Sequence, residues 1–291
     1  MWFPKRVCIF FLACLWLSVG VVHSDNTLEA PKGEMLTLTT EDGIRFGIWG
    51  TKVNYPAPTL LVFSATIEES LENAYYRQCG NTLAGQGFLC VSLDLPGHGK
   101  NHRAGEPEGL AAWRFRSDQG EDFVAPFTKQ VQKVLDYLIA EGYTDPDTVA
   151  ACGTSRGGFM ALQASAVDTR IRTTAAFAPV TALMTLREFH GATNLKHVES
   201  LSLLAKADQL AGRSLWIIIG DRDVRVGTDD AIAFARRVST FSIEQSKSSD
   251  VTLIVKPEPK GHTTPAGSPE LATTWINQKL MTTPLPTGEQ R

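Results

Sequence analysis

The stretch that most constrains this chain is Ala150-Ala151-Cys152-Gly153-Thr154-Ser155-Arg156-Gly157-Gly158-Phe159, a serine held between glycines. The apolar run Val149–Cys152 predicts a strand and Phe159–Val167 predicts a helix, so Gly153-x-Ser155-x-Gly157 sits at a strand-to-helix turn. A turn this tight strains the serine backbone and exposes its hydroxyl above the sheet edge. Side chains at positions 153 and 157 would collide with the neighbouring strand and helix, which is why glycine stands at both. The Arg156 amide, at the start of the helix, then points where a negative oxygen can be held, and the helix dipole adds to it. Chance produces the same spacing in ordinary glycine-rich turns; the strand before it and the helix after it set this one apart.

Around that turn the chain alternates. Met35–Thr39 and Ile44–Trp49 flank Glu41-Asp42-Gly43, and Asp-Gly between such runs predicts an antiparallel hairpin. Apolar runs at Thr59–Phe63, Phe88–Leu93, Thr173–Ala178, Leu215–Ile219 and Val251–Val255 predict further strands. Helices are predicted from Ser70 to about Leu83, over the periodic Phe127, Val131, Val134, Leu135 and Leu138 up to Gly142, over Asp229–Val238, and over Pro269–Leu280. A hairpin followed by alternating strands and helices implies an α/β chain with a mostly parallel sheet covered on both faces. The segment Thr181–Arg213 contains no predicted strand and carries leucines at irregular helical spacing. Its place between two sheet strands predicts a small cap above the serine, with packing elsewhere on the surface as the alternative. The domain is expected over residues 34–281, after a linker at 25–33 and before a loose Pro- and Thr-rich tail at 282–291.

The first 24 residues read as a leader rather than as fold. Lys5 and Arg6 precede the apolar run Val7–Val22, and Ser24 suits a signal-peptidase cut, so the mature chain is expected to begin near Asp25 and to be secreted or periplasmic. An uncleaved anchor is the alternative; lipoprotein processing at Cys14 fits less well, because apolar sequence continues past it. With the leader removed, no stable membrane association is expected. The formal net charge of -3 and the lack of any block of like charge argue against a nucleic-acid partner. Cys79, Cys90 and Cys152 remain after cleavage, with no metal-ligand spacing. Cys90 and Cys152 fall inside apolar strands and read as buried thiols. A Cys79–Cys90 disulfide is permitted in an exported protein, and the sequence leaves it open.

A serine needs a base to be nucleophilic at neutral pH, and the base needs a carboxylate to orient it. In the order serine, acid, histidine, His262 is the one histidine that follows both Ser155 and the strand Leu215–Ile219. It lies in Pro259-Lys260-Gly261-His262-Thr263, a loop directly after the last strand. Two carboxylates compete for the acid in Gly220-Asp221-Arg222-Asp223-Val224-Arg225-Val226. The Gly-x-x-Asp-x-x-Val spacing favours Asp223, while Asp221 reads as a turn-former.

With these pieces in place the sequence resembles the α/β-hydrolase superfamily and, within it, the dienelactone hydrolase and prolyl oligopeptidase-like branch. The matching pieces are Gly153-Thr154-Ser155-Arg156-Gly157-Gly158, Gly220-Asp221-Arg222-Asp223-Val224, Gly261-His262 and Asp94-Leu95-Pro96-Gly97-His98-Gly99. The resemblance implies an eight-stranded sheet, a Ser155–His262–Asp223 triad, and ester or amide hydrolysis without a cofactor. Two departures stand out. Ser64-Ala65-Thr66 replaces the His-Gly that many relatives carry after the third strand, so the second oxyanion donor is expected from the amide of Thr66 or Ile67, beside that of Arg156. Dienelactone hydrolases proper use a cysteine nucleophile, whereas this chain has Ser155.

Other constellations are weaker. Asp94, His98 and His102 recur every fourth residue, as metal ligands on a helix would, but Pro96, Gly97 and Gly99 forbid that helix; a structural turn is expected and no metal. Trp113, Arg114 and Arg116 are placed on a loop before the helix containing Phe127, where they could meet an anionic group or simply solvate the surface. Glu188 and His190 receive no role. The expected activity is serine-dependent hydrolysis of a small-molecule carboxylic ester. Peptide hydrolysis of the prolyl oligopeptidase type and acyl transfer use the same groups, and a binding protein on the same scaffold is the alternative outside enzymes.

Overall fold

The structure is a computed structural model that describes Met1 and residues 31–282. The expected leader beyond Met1, linker residues 25–30 and tail residues 283–291 lie outside the described residues.

Among the described residues the strands are β1 (Leu36–Thr39), β2 (Arg45–Trp49), β3 (Ala57–Phe63), β4 (Leu89–Ser92), β5 (Thr144–Thr154), β6 (Ile171–Phe177), β7 (Ser214–Gly220) and β8 (Asp250–Lys256). They form one eight-stranded sheet in the order β1-β2-β4-β3-β5-β6-β7-β8. β2 pairs antiparallel with both β1 and β4, and every later pairing is parallel. The fold is therefore the α/β arrangement that the alternation of elements predicts. The β1–β2 hairpin turns at Gly43, whose φ of 80° and amide bond to the Thr40 carbonyl show why Asp-Gly marked it.

The apolar strands read as unbroken runs because both faces of the sheet are covered. Along β3, Leu61 and Phe63 enter one core while Leu60 and Val62 enter the other. β7 repeats the division, with Leu215, Ile217 and Ile219 on the first face and Trp216 and Ile218 on the second. The first face is covered by α4 (Leu110–Asp118), α5 (Val124–Ala140), α6 (Arg156–Val167), α7 (Leu195–Leu201) and α8 (Thr228–Glu244). The second is covered by α1 (Ile67–Glu72), α3 (Gly80–Leu83) and α9 (Ser268–Thr282), with α2 (Ala74–Arg77) between α1 and α3. Among the described residues, no helix is long and apolar enough to cross a membrane.

Three expectations need correction. The single helix from Ser70 to Leu83 is three short ones, starting at Ile67. Asn73 stops the first and caps the next through its side chain to the Tyr75 amide. Gln78, with φ 50°, stops the second. Trp113, Arg114 and Arg116 lie in α4, not on a loop. Trp113 is fully buried, stacks on Phe123 with ring centroids 4.8 Å apart, and donates from Nε1 to the Pro96 carbonyl. Arg116 is buried and paired with Glu106, and Arg114 pairs with Asp118 one turn on in α4 and ties the helix to the carbonyls of Glu188 and His190. The segment Thr181–Arg213 has no strand, as expected, but it is not a cap over the serine. Leu183, Leu186, Phe189, Val198, Leu201 and Leu203 are fully or nearly buried in the first core, so the segment packs as a flank of the domain.

Cys79, Cys90 and Cys152 are all buried free thiols, so the disulfide that the sequence left open between Cys79 and Cys90 is not formed. Burial pushes the Cys90 thiol pKa well up, as for an inert core residue.

Candidate active site

In parallel strands the carboxyl ends lie along one edge, and the loops that leave them meet there. Ser155 leaves β5, Asp223 follows β7, and His262 follows β8. Ser155 sits at φ 56° and ψ -115°, a conformation that non-glycine residues rarely adopt. Its amide donates to the Phe177 carbonyl at 2.9 Å, and its carbonyl accepts from Phe159 and Val180, so both neighbouring elements hold the strain in place. The flanking glycines are required by contact. A Cβ on Gly153 would lie 2.3 Å from the Gly157 backbone, and one on Gly157 would lie 1.8 Å from the Phe63 carbonyl oxygen. The helix therefore packs backbone to backbone against β3 and β5 at the point where the serine turns outward.

Asp223 is buried, and its Oδ1 accepts from the amides of Arg225 at 3.1 Å and Val226 at 3.2 Å. Its Oδ2 lies 2.7 Å from His262 Nδ1. An ionised carboxylate can only accept, so Nδ1 carries the proton and Nε2 presents a lone pair. Nε2 lies 3.0 Å from Ser155 Oγ and is placed to accept its hydrogen. Asp221, the competitor, does different work: its Oδ1 accepts from the Glu258 amide at 2.9 Å and its own amide donates to the Lys256 carbonyl. It ties the acid loop to the histidine loop without touching the imidazole.

The serine opens into a pocket of about 220 Å³ lined in part by Ser64, Tyr75, Tyr76, Leu110, Arg225 and Thr263. No residue of Thr181–Arg213 lines it, and neither do Trp113, Arg114 or Arg116. From that segment, Glu188 reaches the pocket wall indirectly by accepting from Arg225 Nη2 at 2.8 Å. Arg156 lines the pocket itself and opens α6, where its amide is one of the first-turn donors that a helix leaves unpaired. Its Nε donates to the Ser64 carbonyl, which links the sharp turn at Ser155, the elbow of the site, to the loop after β3.

In that loop one of the two expected second donors is already engaged, which leaves the amide of Thr66. The Ile67 amide donates to Asp94 Oδ1 at 2.9 Å and is not free to meet an oxyanion. Thr66 caps α1 by accepting the Glu69 amide on its hydroxyl, and Ser64 is the residue of the loop that reaches the pocket wall.

Asp94, His98 and His102 form a turn, not a ligand set. Asp94 accepts from the amides of Ile67 and Lys100 and from Arg45. His98 Nδ1 lies 2.9 Å from the Pro96 carbonyl, and His102 Nε2 lies 2.9 Å from that of Glu106. Burial, helped by the nearby Arg156 charge, pushes the His98 pKa down to about 4. Burial followed by the charge of Glu69 raises that of Tyr76 in the pocket wall.

The wall residues Tyr75, Tyr76 and Leu110 lie outside every motif, and only the folded chain brings them to the serine. Arg225 did stand inside the acid motif, two residues past Asp223.

A serine, a histidine and a buried carboxylate joined in series at the edge of a mostly parallel sheet define an α/β-hydrolase. The sequence profile of the prolyl oligopeptidase family matches residues 79–279, and the chain belongs to that family. Its chemistry is that of a serine hydrolase. No curated protein sequence matches the chain.

Among solved structures the chain is similar to a cold-adapted esterase from an Arctic intertidal metagenomic library, with a TM-score of 0.60 and 18% identity over 84% of this chain and 92% of that one. It is similar to a putative dipeptidyl aminopeptidase IV from Bacteroides ovatus, with a TM-score of 0.61 and 16% identity, over 85% of this chain but 35% of that one. It is also similar to acetyl xylan esterase 1 from Thermoanaerobacterium, with a TM-score of 0.58 and 16% identity, over 83% and 81% of the two chains. At such identities these likenesses bear on the fold.

Proposed function

We propose that this protein hydrolyses small carboxylic esters through an acyl-enzyme on Ser155. The observation that carries the reading is the continuous path from Asp223 Oδ2 through His262 to Ser155 Oγ, opening into the pocket. Ser155 Oγ attacks the ester carbonyl carbon while His262 Nε2 takes its proton. The carbonyl oxygen becomes an oxyanion held by the Arg156 amide and by the loop that follows β3. The imidazolium, stabilised by Asp223, returns its proton to the leaving alkoxide and the C–O bond breaks. Water then attacks the acyl group with His262 again as base, releasing the acid and restoring Ser155.

Ester rather than peptide is supported by the pocket. Its volume of about 220 Å³ lies below the range of roughly 300–1,000 Å³ typical of larger ligands. Its wall sets the rings of Tyr75 and Tyr76 and the side chain of Leu110 beside the charged Arg156 and Arg225, which leaves room for a short acyl or aryl group. An amide also has the poorer leaving group and demands closer positioning and protonation. Short-acyl 4-nitrophenyl esters should therefore turn over in a Ser155-dependent way, and proline-containing peptide anilides should not. Efficient anilide cleavage with esters no better would establish the peptidase reading instead. Ester product formed with an added alcohol, in place of free acid, would favour acyl transfer. Binding without turnover would favour a non-catalytic role.

We further propose that the enzyme works outside the cytoplasm, on the strength of Lys5, Arg6 and the apolar Val7–Val22. N-terminal sequencing of exported protein should begin near Asp25; an intact residue 1–24 segment in membrane-held material would contradict this.

A further inference from the structure

His262 is carried by the loop between β8 and α9. The chain between β8 and α9 has no regular structure, and Gly261 within it has φ 78°. What holds this loop against the sheet must come from elsewhere in the chain. One anchor is Asp221 on the Glu258 amide, on the acid side. A second lies on the far side of the histidine, at Thr264, and its contacts come from α2 and from Gln78, at the junction of α2 and α3.

Gln78 occupies that junction. It is 2% exposed, and its Nε2 donates to Thr154 Oγ1 at 3.0 Å and to Thr264 Oγ1 at 3.1 Å. Thr154 is the residue before Ser155, and Thr264 is two residues after His262. A single side-chain amide therefore bridges the strand that carries the serine and the loop that carries the histidine. The Tyr75 hydroxyl adds a second hold by accepting from the Thr264 amide at 3.2 Å.

The backbone of Gln78 sharpens the point. Its φ of 50° and ψ of -125° nearly repeat the values at Ser155, in a region disfavoured for any residue with a Cβ. Glycine would relieve that strain, so the side chain must supply something glycine cannot. Packing alone does not explain it, since an apolar side chain of the same length would fill the space. Gln78 is also absent from the pocket wall, so it does not touch a bound ester.

We propose that Gln78 is a positioning residue, which fixes the separation of His262 Nε2 from Ser155 Oγ by tying Thr264 to Thr154. The proposal rests on the ester-hydrolase reading above. It separates the two steps of catalysis: binding uses the pocket wall and stays intact, whereas proton transfer from Ser155 to His262 depends on the bridge. A displacement on the order of 1 Å at such a contact can cost about 10²-fold in rate.

The test is a double-mutant cycle on turnover of 4-nitrophenyl acetate, with the rate of fluorophosphonate labelling as a parallel readout. Gln78→Met keeps the length and removes the hydrogen bonds; Thr264→Val removes the partner hydroxyl. Each should lower kcat by roughly 10–100-fold with KM within about twofold, and the double variant should lose no more than either single one. Labelling should slow in step with kcat. A role in packing alone would lower the melting temperature without separating kcat from KM. If Gln78→Met fails to fold, Thr264→Val alone decides by the same kcat criterion. Unchanged kcat in Thr264→Val, or losses that multiply in the double variant, would overturn the proposal. Turnover that survives Ser155→Ala would remove the underlying reading and this proposal with it, so the two failures are told apart.

Discussion

Replacing Asp223 by asparagine exchanges one oxygen for an NH2 group and should nearly silence the site. Asp223 Oδ1 accepts two backbone amides, those of Arg225 and Val226, which an asparagine oxygen can still accept. The side chain therefore stays in its present orientation, and its new NH2 group replaces Oδ2 against His262 Nδ1, 2.7 Å away. A donor in that place makes Nδ1 the acceptor and moves the ring proton to Nε2. Nε2 then faces Ser155 Oγ with a hydrogen and no lone pair, and the base is lost. In the Ser-His-Asp template the same exchange costs on the order of 10⁴ in kcat, or about 5.5 kcal/mol of barrier. Asp221→Asn is the matched control, since an amide oxygen can still accept from the Glu258 amide; its effect should stay below about threefold, in the range of a surface change. The assay is steady-state hydrolysis of a short-acyl 4-nitrophenyl ester by both variants, with melting temperatures measured alongside. An Asp221→Asn loss equal to or larger than that of Asp223→Asn would refute the assignment of the acid.

Two further predictions concern the frame of the site. Gly157→Ala places a methyl 1.8 Å from the Phe63 carbonyl oxygen, a backbone atom that cannot swing aside, so the variant should lose about 3 kcal/mol or more, roughly 6–12 °C in melting temperature; thermal unfolding of the wild-type level would show that the elbow does not pack as described. The His98 pKa falls from 6.5 to about 4 on folding, so between those values the unfolded chain binds the extra proton. The stability tied to neutral His98 is thus fully present above about pH 6.5 and is lost as pH falls toward 4, in all about 3 kcal/mol. His98→Asn keeps an N–H for the Pro96 carbonyl and removes the titration, so urea unfolding across pH 4–6.5 should show a shallower loss than in the wild type, and an identical slope in the two proteins would contradict this.

Much of the fold was legible because its signals are local. Asp42-Gly43 marked the hairpin, the unbroken apolar runs marked strands buried on both faces, and two glycines around Ser155 marked a close approach of backbones. The residues that meet at the serine were legible for the same reason: Asp223 and His262 lie in the loops that follow β7 and β8, and parallel strands bring such loops to one edge. What stayed hidden depends on contacts remote in sequence. The break at Gln78 could not be read, because glutamine carries no turn signal and its strained backbone is held by Thr154 and Thr264, 76 and 186 residues away. Arg116 looked like a solvated loop charge because its partner Glu106 carries no spacing rule, and Arg114 did so because the carbonyls near His190 that it reaches are remote in sequence. Thr181–Arg213 looked like a cap because leucines at irregular spacing do not say which surface they cover; here they cover the flank. The pocket wall is of the same kind, since Tyr75 and Leu110 are joined to the site only by the fold.

The central claim is that Ser155, activated by His262, is the nucleophile. Reacting the full chain with a fluorophosphonate and locating the adduct by mass spectrometry of its peptides tests it directly. The account predicts one adduct per chain, on Ser155, formed at a rate that collapses in a His262→Ala variant and absent from a folded Ser155→Ala variant. An adduct on another residue, or labelling that persists in folded Ser155→Ala protein, would contradict it.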